Sequence, residues 1–267
     1  MTTINELINL KGRRALVTGA SGSLGKVIAD TLAELGADLV LVDRPGSGGE
    51  GLADMLRQRW GTNIQYRDCD LEQQEQRSEL ADWLEHGEEG VDILINNAAF
   101  VGTSGLQGWV APFEEQSVET WRRAMEVNLT AVFHLCQLFT PMLRESGNGA
   151  ILNIGSIYGV VGPDMGLYEG TAMGNPAAYA ASKGGLVQLT RWLSTVLAPR
   201  IRVNCISPGG IFRNQPEIFV DRYVARTPLG RMATEEDFKG AIAYFASNLS
   251  AYVTGENLMV DGGWVAW

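Results

Sequence analysis

Short apolar runs alternate with stretches of helical spacing along most of the chain. Ala15-Leu16-Val17 reads as a buried strand that ends in a Gly/Ser-rich turn. A helical pattern follows from Lys26 to Leu35, and Gly36 stops it. Leu39 to Val42 is a second strand, Leu52 to Trp60 a helix, and Ile64 to Tyr66 a strand. A polar helix over Glu72 to Glu85 precedes a strand at Val91 to Ile95. A long helix spans Glu119 to about Leu143, and Ile151 to Ile154 is again a strand. Ala177 to Leu197 is helical, Ile201 to Ile206 a strand, Glu235 to Ser247 helical, and Asn257 to Val260 a last strand.

Strands that read as continuous apolar runs, each followed by a helix, predict a doubly wound α/β fold: a parallel sheet of about seven strands with helices on both faces. No repeat or Pro/Ser-rich linker breaks the rhythm, so residues 1–267 are expected to form a single domain. Three glycine-dotted segments interrupt it, at about 100–116, 160–176 and 209–231. All three follow strands. Ligands of such sheets sit at the carboxyl ends of strands, so these segments are expected to wall a substrate pocket.

Composition narrows the classes. With 45% hydrophobic and 19% charged residues the chain is globular. Its net charge of −10 argues against nucleic acid as a partner. Cys69, Cys136 and Cys205 are widely spaced and only two histidines exist, so neither a disulfide framework nor a metal site is expected. Met1 to Arg14 lacks the apolar core of a secretory signal and no run matches a membrane span, so a cytoplasmic location is expected.

The first strand runs into Thr18-Gly19-Ala20-Ser21-Gly22-Ser23-Leu24-Gly25. Glycines there permit a tight turn and let backbone amides approach a pyrophosphate, whose charge the following helix N-terminus attracts. The second strand ends at Asp43. An acid at that point accepts ribose hydroxyls and repels a 2′-phosphate, which favours NAD over NADP; the adjacent Arg44 is a group that could hold such a phosphate.

Tyr179 and Lys183 stand at i and i+4 and share one face of a predicted helix. A phenol has an ordinary pKa of about 10, and a nearby ammonium is expected to lower it, making Tyr179 a proton acceptor for an alcohol or a donor to a ketone. Ser156, just past a strand, is placed to hold the substrate oxygen. The side chain of Asn128, on the long helix, is placed to anchor a water linked to Lys183.

With these pieces in order the chain resembles the short-chain dehydrogenase/reductase family over essentially its whole length. The matching segments are Thr18 to Gly25, Asp70-Leu71, Asn96-Asn97-Ala98, Asn128, Ser156, Tyr179 with Lys183, Pro208-Gly209 and Asp261-Gly262-Gly263. The resemblance implies a Rossmann-like sheet and a catalytic tetrad of Asn128, Ser156, Tyr179 and Lys183. It implies cofactor contacts from Gly19, Ser21, Ser23, Leu24 and Gly25 at the pyrophosphate and Asp43 at the ribose. Asp70 and Leu71 would flank the adenine, and Asn97 and Ala98 would line the trough. Tyr179 and Lys183 would meet the nicotinamide ribose, and Pro208, Gly209 and Ile211 the carboxamide end. It further implies a homo-oligomer, dimer or tetramer, for which the apolar tail Asp261 to Trp267 is a candidate interface.

The chain departs from the family pattern at Ser23 and Ala99, where glycine is usual, and at Arg213, where a threonine is common. The distance from Ser156 to Tyr179 is far longer than usual, and the extra segment, about Pro163 to Gly174, is expected to cover the substrate mouth. Trp109, Phe113, Tyr168, Phe212 and Phe219 offer flat apolar surface, while Asp164, Glu169, Arg213, Asn214 and Gln215 offer polar contacts. That mixture suits a carbohydrate-like substrate, and the loops resemble gluconate 5-dehydrogenase-like and flagellin-modification amino-sugar oxidoreductases. The alternatives are an NADP-dependent ketoreductase of acyl or hydrophobic ketones and a dinucleotide-sensing protein without turnover.

Overall fold

The computed structural model describes residues 1–87, 90–101 and 104–267. Its centre is a seven-stranded parallel sheet in the order β3-β2-β1-β4-β5-β6-β7. The strands are β1 (Arg14–Thr18), β2 (Asp38–Asp43), β3 (Ile64–Asp68), β4 (Ile93–Asn96), β5 (Gly149–Ile154), β6 (Ile201–Pro208) and β7 (Asn257–Val260). The helices are α1 (Ile4–Ile8), α2 (Ser23–Glu34), α3 (Gly49–Trp60), α4 (Gln74–His86), α5 (Val118–Met125), α6 (Ala131–Glu145), α7 (Ala177–Leu197), α8 (Glu217–Ala225) and α9 (Lys239–Ala246).

Alternation along each strand builds two cores. Ala15, Val17, Leu39, Leu41, Ile93 and Ile95 face one side, where α2, α3 and α9 bring Ile28, Leu32, Leu56, Ile242 and Phe245. Leu16, Val40, Val42, Leu94 and Ile151 face the other, against Leu80, Leu135, Phe139, Leu186 and Leu193 of α4, α6 and α7. Successive side chains of a strand point to opposite faces, and helices cover both faces here, so no polar alternation shows in the sequence. The Rossmann-like α/β expectation is met.

The long helix expected over Glu119 to Leu143 is present but not uniform: α5 passes into α6 through a π-helical turn, Glu126–Thr130, which contains Asn128. Such turns recur at functional sites because they re-aim side chains without ending the helix. The segment 209–231 is not simply a loop. It holds α8, which buries Phe219 and Tyr223, four residues apart on one face. The segment 160–176 contains a 3₁₀ turn, Met165–Leu167, and 100–116 contains another, Phe113–Glu115; residues 102 and 103 of the latter lie outside the described residues. Among the described residues no helix is long and apolar enough to cross a membrane.

Candidate active site

The turn after β1 is shaped by steric necessity. Gly19 has φ +63°, and a Cβ there would stand 2.8 Å from the Cα of Ala98; one on Gly25 would stand 2.1 Å from the Gly19 carbonyl. Gly22 caps α2 without a side chain, so the amides at the N-terminus of that helix face outward with no side-chain partner at the cap. Asn97 fixes the turn from β4: its Nδ2 donates to the carbonyls of Thr18 and Gly19, both at 3.0 Å. The Thr18 hydroxyl accepts from the amides of Asn97 (3.1 Å) and Ala98 (3.2 Å). Ser21, Ser23, Leu24, Gly25, Asn97 and Ala98 therefore surround one backbone-lined cradle at the carboxyl ends of β1 and β4. Small residues and a helix N-terminus there fit a dinucleotide pyrophosphate.

Asp43 closes the end of β2. Its carboxylate accepts the Ser21 amide at 2.9 Å and the Arg44 amide at 2.8 Å. Asp68, its register partner on β3, hydrogen-bonds the Tyr66 hydroxyl at 2.7 Å. Burial, with Asp68 and Asp43 adding their charge, pushes the Tyr66 phenol up to about 12. Two carboxylates therefore flank this corner, while Arg44 is exposed. Asp70 accepts from the Glu72 amide at 3.0 Å, and the buried Leu71 offers its carbonyl to Arg77. Arg77, 1% exposed, also pairs with Glu126 at 2.7 Å, tying the Asp70-Leu71 corner to the π turn. This link is not legible in the sequence, because its partners are far apart along the chain.

On the other side of the trough, Ser156 follows β5, and its hydroxyl accepts the Tyr158 amide at 3.2 Å. Tyr179 is half-buried in the first turn of α7, facing Ser156. Lys183, 3% exposed, donates to the Ile154 carbonyl at 2.6 Å, with its Nζ 5.9 Å from the Tyr179 ring centroid. Burial lowers the Lys183 ammonium to about 8. The expectation that Lys183 would depress the Tyr179 pKa is not met in the free chain. Desolvation raises that phenol, and the Ser156 hydroxyl and the Arg213 charge offset only part of the rise.

Asn128 differs from expectation in another way. Its Nδ2 donates to the Phe100 carbonyl and to the Ser182 hydroxyl, both at 3.1 Å, and its Oδ1 accepts the Phe100 amide at 2.7 Å. Both amide protons are thus spent on the protein. The side chain is a splint between the loop after β4 and α7 rather than a free water anchor.

Beyond β6, Pro208 leads into Gly209, whose amide donates to Val260 at 2.9 Å. A Cβ on Gly209 would stand 2.8 Å from the Cα of Asp261. Ile211 forms a parallel bridge to Ala233. Arg213 is ion-paired with Glu235 at 2.9 Å on the surface.

The predicted aromatic walls divide. Phe113 is 77% exposed, and Phe212 also faces solvent. Tyr168 and Phe219 are buried against each other, with ring centroids 5.4 Å apart. They belong to a cluster with Ile157, Leu167, Tyr223, Met232 and Trp264 that glues the extra segment to α8. Asp164 pairs with Arg226, and Arg222 donates to the Glu169 carbonyl at 2.5 Å. Trp264 stacks on Tyr223 at 5.8 Å within the same chain, so the expected interfacial role of the tail does not extend to it; Trp267 remains exposed. Trp109 is buried beside Ala124 and Ala178, with Tyr179 packed against them. Among the described residues no three His, Cys, Asp or Glu side chains gather as a metal site, and the three cysteines are buried and free.

This fold and trough are those of a nucleotide-dependent oxidoreductase class, and the comparisons with known proteins agree. Residues 19–265 match the family model described as enoyl-(acyl carrier protein) reductase. The chain is 37% identical to nodulation protein G of a Rhizobium species, over 96% of this chain and 98% of that one. A gluconate 5-dehydrogenase from Burkholderia cenocepacia, solved with NADP and tartrate, is 30% identical and covers 99% of this chain and 100% of its own, with a TM-score of 0.87. A short-chain dehydrogenase from Leptospira borgpetersenii with bound NAD+ is 33% identical, covers 99% of this chain and 96% of its own, and has a TM-score of 0.83. The chain belongs to the short-chain dehydrogenase/reductase family and is an oxidoreductase of that family.

Proposed function

We propose that the chain oxidises a secondary alcohol, or reduces the matching ketone, with NAD, and that its substrate is of carbohydrate type: a sugar, sugar acid or amino-sugar derivative. The observation that carries this reading is Tyr179 facing Ser156, with Lys183 one turn further along α7, at the carboxyl end of β5, which β4 alone separates from β1 and its glycine turn.

The amides from Ser21 to Gly25 would hold the pyrophosphate, Asp43 the adenosine ribose, Asp70 and Leu71 the adenine, and Asn97 and Ala98 the trough between them. Pro208, Gly209 and Ile211 would meet the carboxamide end. Bound nicotinamide supplies hydride acceptance and donation. Ser156 orients the substrate oxygen by hydrogen bonding. Tyr179 takes the hydroxyl proton during oxidation and returns it during reduction. Lys183 sits one helical turn further on, where its ammonium would hold the nicotinamide ribose. The Asn128 splint keeps Phe100 and α7 at a fixed separation, which holds Tyr179 in place.

Asp43 and Asp68 support NAD, since a 2′-phosphate would meet two carboxylates. The hydroxyls of Tyr158 and Tyr168, hydrogen-bonded at 3.0 Å beside Ser156, support a polyhydroxylated substrate. A relative from Vibrio cholerae named as a 3-oxoacyl-[acyl-carrier-protein] reductase, 32% identical over 96% of this chain, supports a second reading, an NADP-dependent ketoreductase of acyl chains. We also propose that the protein is a cytoplasmic homo-oligomer, dimer or tetramer, joined through the exposed apolar residues Trp121, Phe133, Trp192 and Val196 of α5 to α7.

The deciding test is fluorescence of reduced cofactor, with NAD and NADP supplied separately against sugars, sugar acids, simple alcohols and acyl ketones. NADH formation with a carbohydrate supports the proposal. Turnover confined to NADPH and hydrophobic ketones overturns it in favour of the second reading.

A further inference from the structure

The extra segment before α7 forms one wall of a cavity. Between that segment and the loop after β4, the cavity has a volume of about 350 Å³, at the lower end of the roughly 300–1,000 Å³ of small-molecule sites. The cavity adjoins the start of α7. Asn175 and Pro176, on its wall, immediately precede α7, and Trp109, also on its wall, packs with Tyr179.

Its chemistry is selective. Among the described residues, no acidic or basic one lines it. Val110, Met165 and Met173 supply an apolar wall. The polar side chains around it are largely committed to the protein. Trp109 Nε1 donates to the Val101 carbonyl at 2.8 Å, and Gln116 Nε2 to the Ala111 carbonyl at 3.3 Å. The Thr171 hydroxyl donates to the Tyr168 carbonyl at 2.8 Å. One group is left over: Asn175 Oδ1 is buried and has no hydrogen-bond partner. A buried acceptor without a donor is costly unless a ligand supplies one.

We infer that this cavity is a subsite for an acylamino group on the substrate, its N–H donated to Asn175 Oδ1 and its acyl body laid against Val110, Met165 and Met173. The inference rests on the alcohol-dehydrogenase reading above and narrows its substrate to N-acylated amino alcohols of carbohydrate type. A free amine fits poorly. It would arrive as an ammonium, and no described residue of the wall carries the opposite charge. A bare hydroxyl would meet the acceptor but leave the apolar wall unused.

The test compares an acetamido sugar with its free-amine counterpart, at a pH where the amine is protonated and with the enzyme saturated in NAD. The ratio of the two is read both as kcat/KM and as calorimetric Kd. Wild-type protein is expected to prefer the acetamido compound by about tenfold or more. Asn175→Leu should bring the ratio close to one, and Ala172→Trp, which fills the cavity from its exposed rim, should do the same should the first variant fold poorly. A wild-type ratio near one, or a preference that survives both variants, overturns the subsite. Absence of turnover with every alcohol tested, alongside a binding preference for the acetamido compound, overturns the dehydrogenase reading and leaves the subsite standing.

Discussion

At the scale of single residues, Tyr179 and Lys183 carry the sharpest expectations. Tyr179→Phe removes the only proton the phenol can move, so kcat should fall by roughly 10²–10⁴ while cofactor affinity, read by fluorescence titration, holds. Lys183 gives a test on the free chain. Its folded pKa of about 8 lies below its ordinary 10.5, so the unfolded state binds more protons between those values. Burying the charge therefore opposes folding fully below pH 8, and that penalty fades as pH rises toward 10.5. Denaturation of wild type and Lys183→Met over this window should show the wild type gaining about 3 kcal/mol relative to the variant. An unchanged difference would mean that Lys183 keeps its ordinary pKa in the fold. The spacing of this pair was legible because a helix places i and i+4 together whatever the rest of the chain does. The task of Asn128 was not. Its partners Phe100 and Ser182 lie 28 and 54 positions away, and only the folded chain brings them within 3.1 Å. The same holds for the Tyr179 pKa, which burial raises while the Ser156 hydroxyl and the Arg213 charge, both distant in sequence, lower it in part.

Among the elements, the turn from β1 to α2 has the least freedom. A Cβ on Gly25 would overlap the Gly19 carbonyl, so Gly25→Ala must displace either the turn or the start of the helix. Such overpacking costs about 1–3 kcal/mol, and NAD binding measured by calorimetry should weaken with it. At the end of β2, Asp43→Ala should raise the kcat/KM ratio of NADP to NAD by about tenfold or more, one of the two facing carboxylates having gone. The strands were readable from apolar runs alone because both sheet faces are covered. Helix α8 was not, for a related reason. Its buried side chains, Phe219 and Tyr223, find their partners in Tyr168 and Trp264, and the flanking glycines and prolines of the segment look like loop until those partners are in place.

For the molecule as a whole, the open question is assembly. Trp192 and Val196 stand four residues apart on α7, 55% and 46% exposed, with Trp121 and Phe133 exposed on the neighbouring helices. Replacing Val196 by Glu should shift sedimentation toward a smaller species if this face joins subunits; an unchanged profile would move the contact elsewhere. Truncation after Gly263 is a separate matter. It removes Trp264 from the cluster that holds α8 and the extra segment, so it should lower thermal stability even where assembly is untouched.

Arg226 has a consequence for anyone who would redesign this protein. It pairs with Asp164 of the extra segment, lies 4.7 Å over the Trp264 ring, and through its carbonyl holds the Trp267 indole at 3.2 Å. Three stretches of chain distant in sequence meet on one α8-terminal side chain and its backbone. The extra segment is therefore not a portable cassette. Transplanted into a relative without Arg226 and the aromatic tail, it should bring no change of substrate preference, whereas moving all three together should.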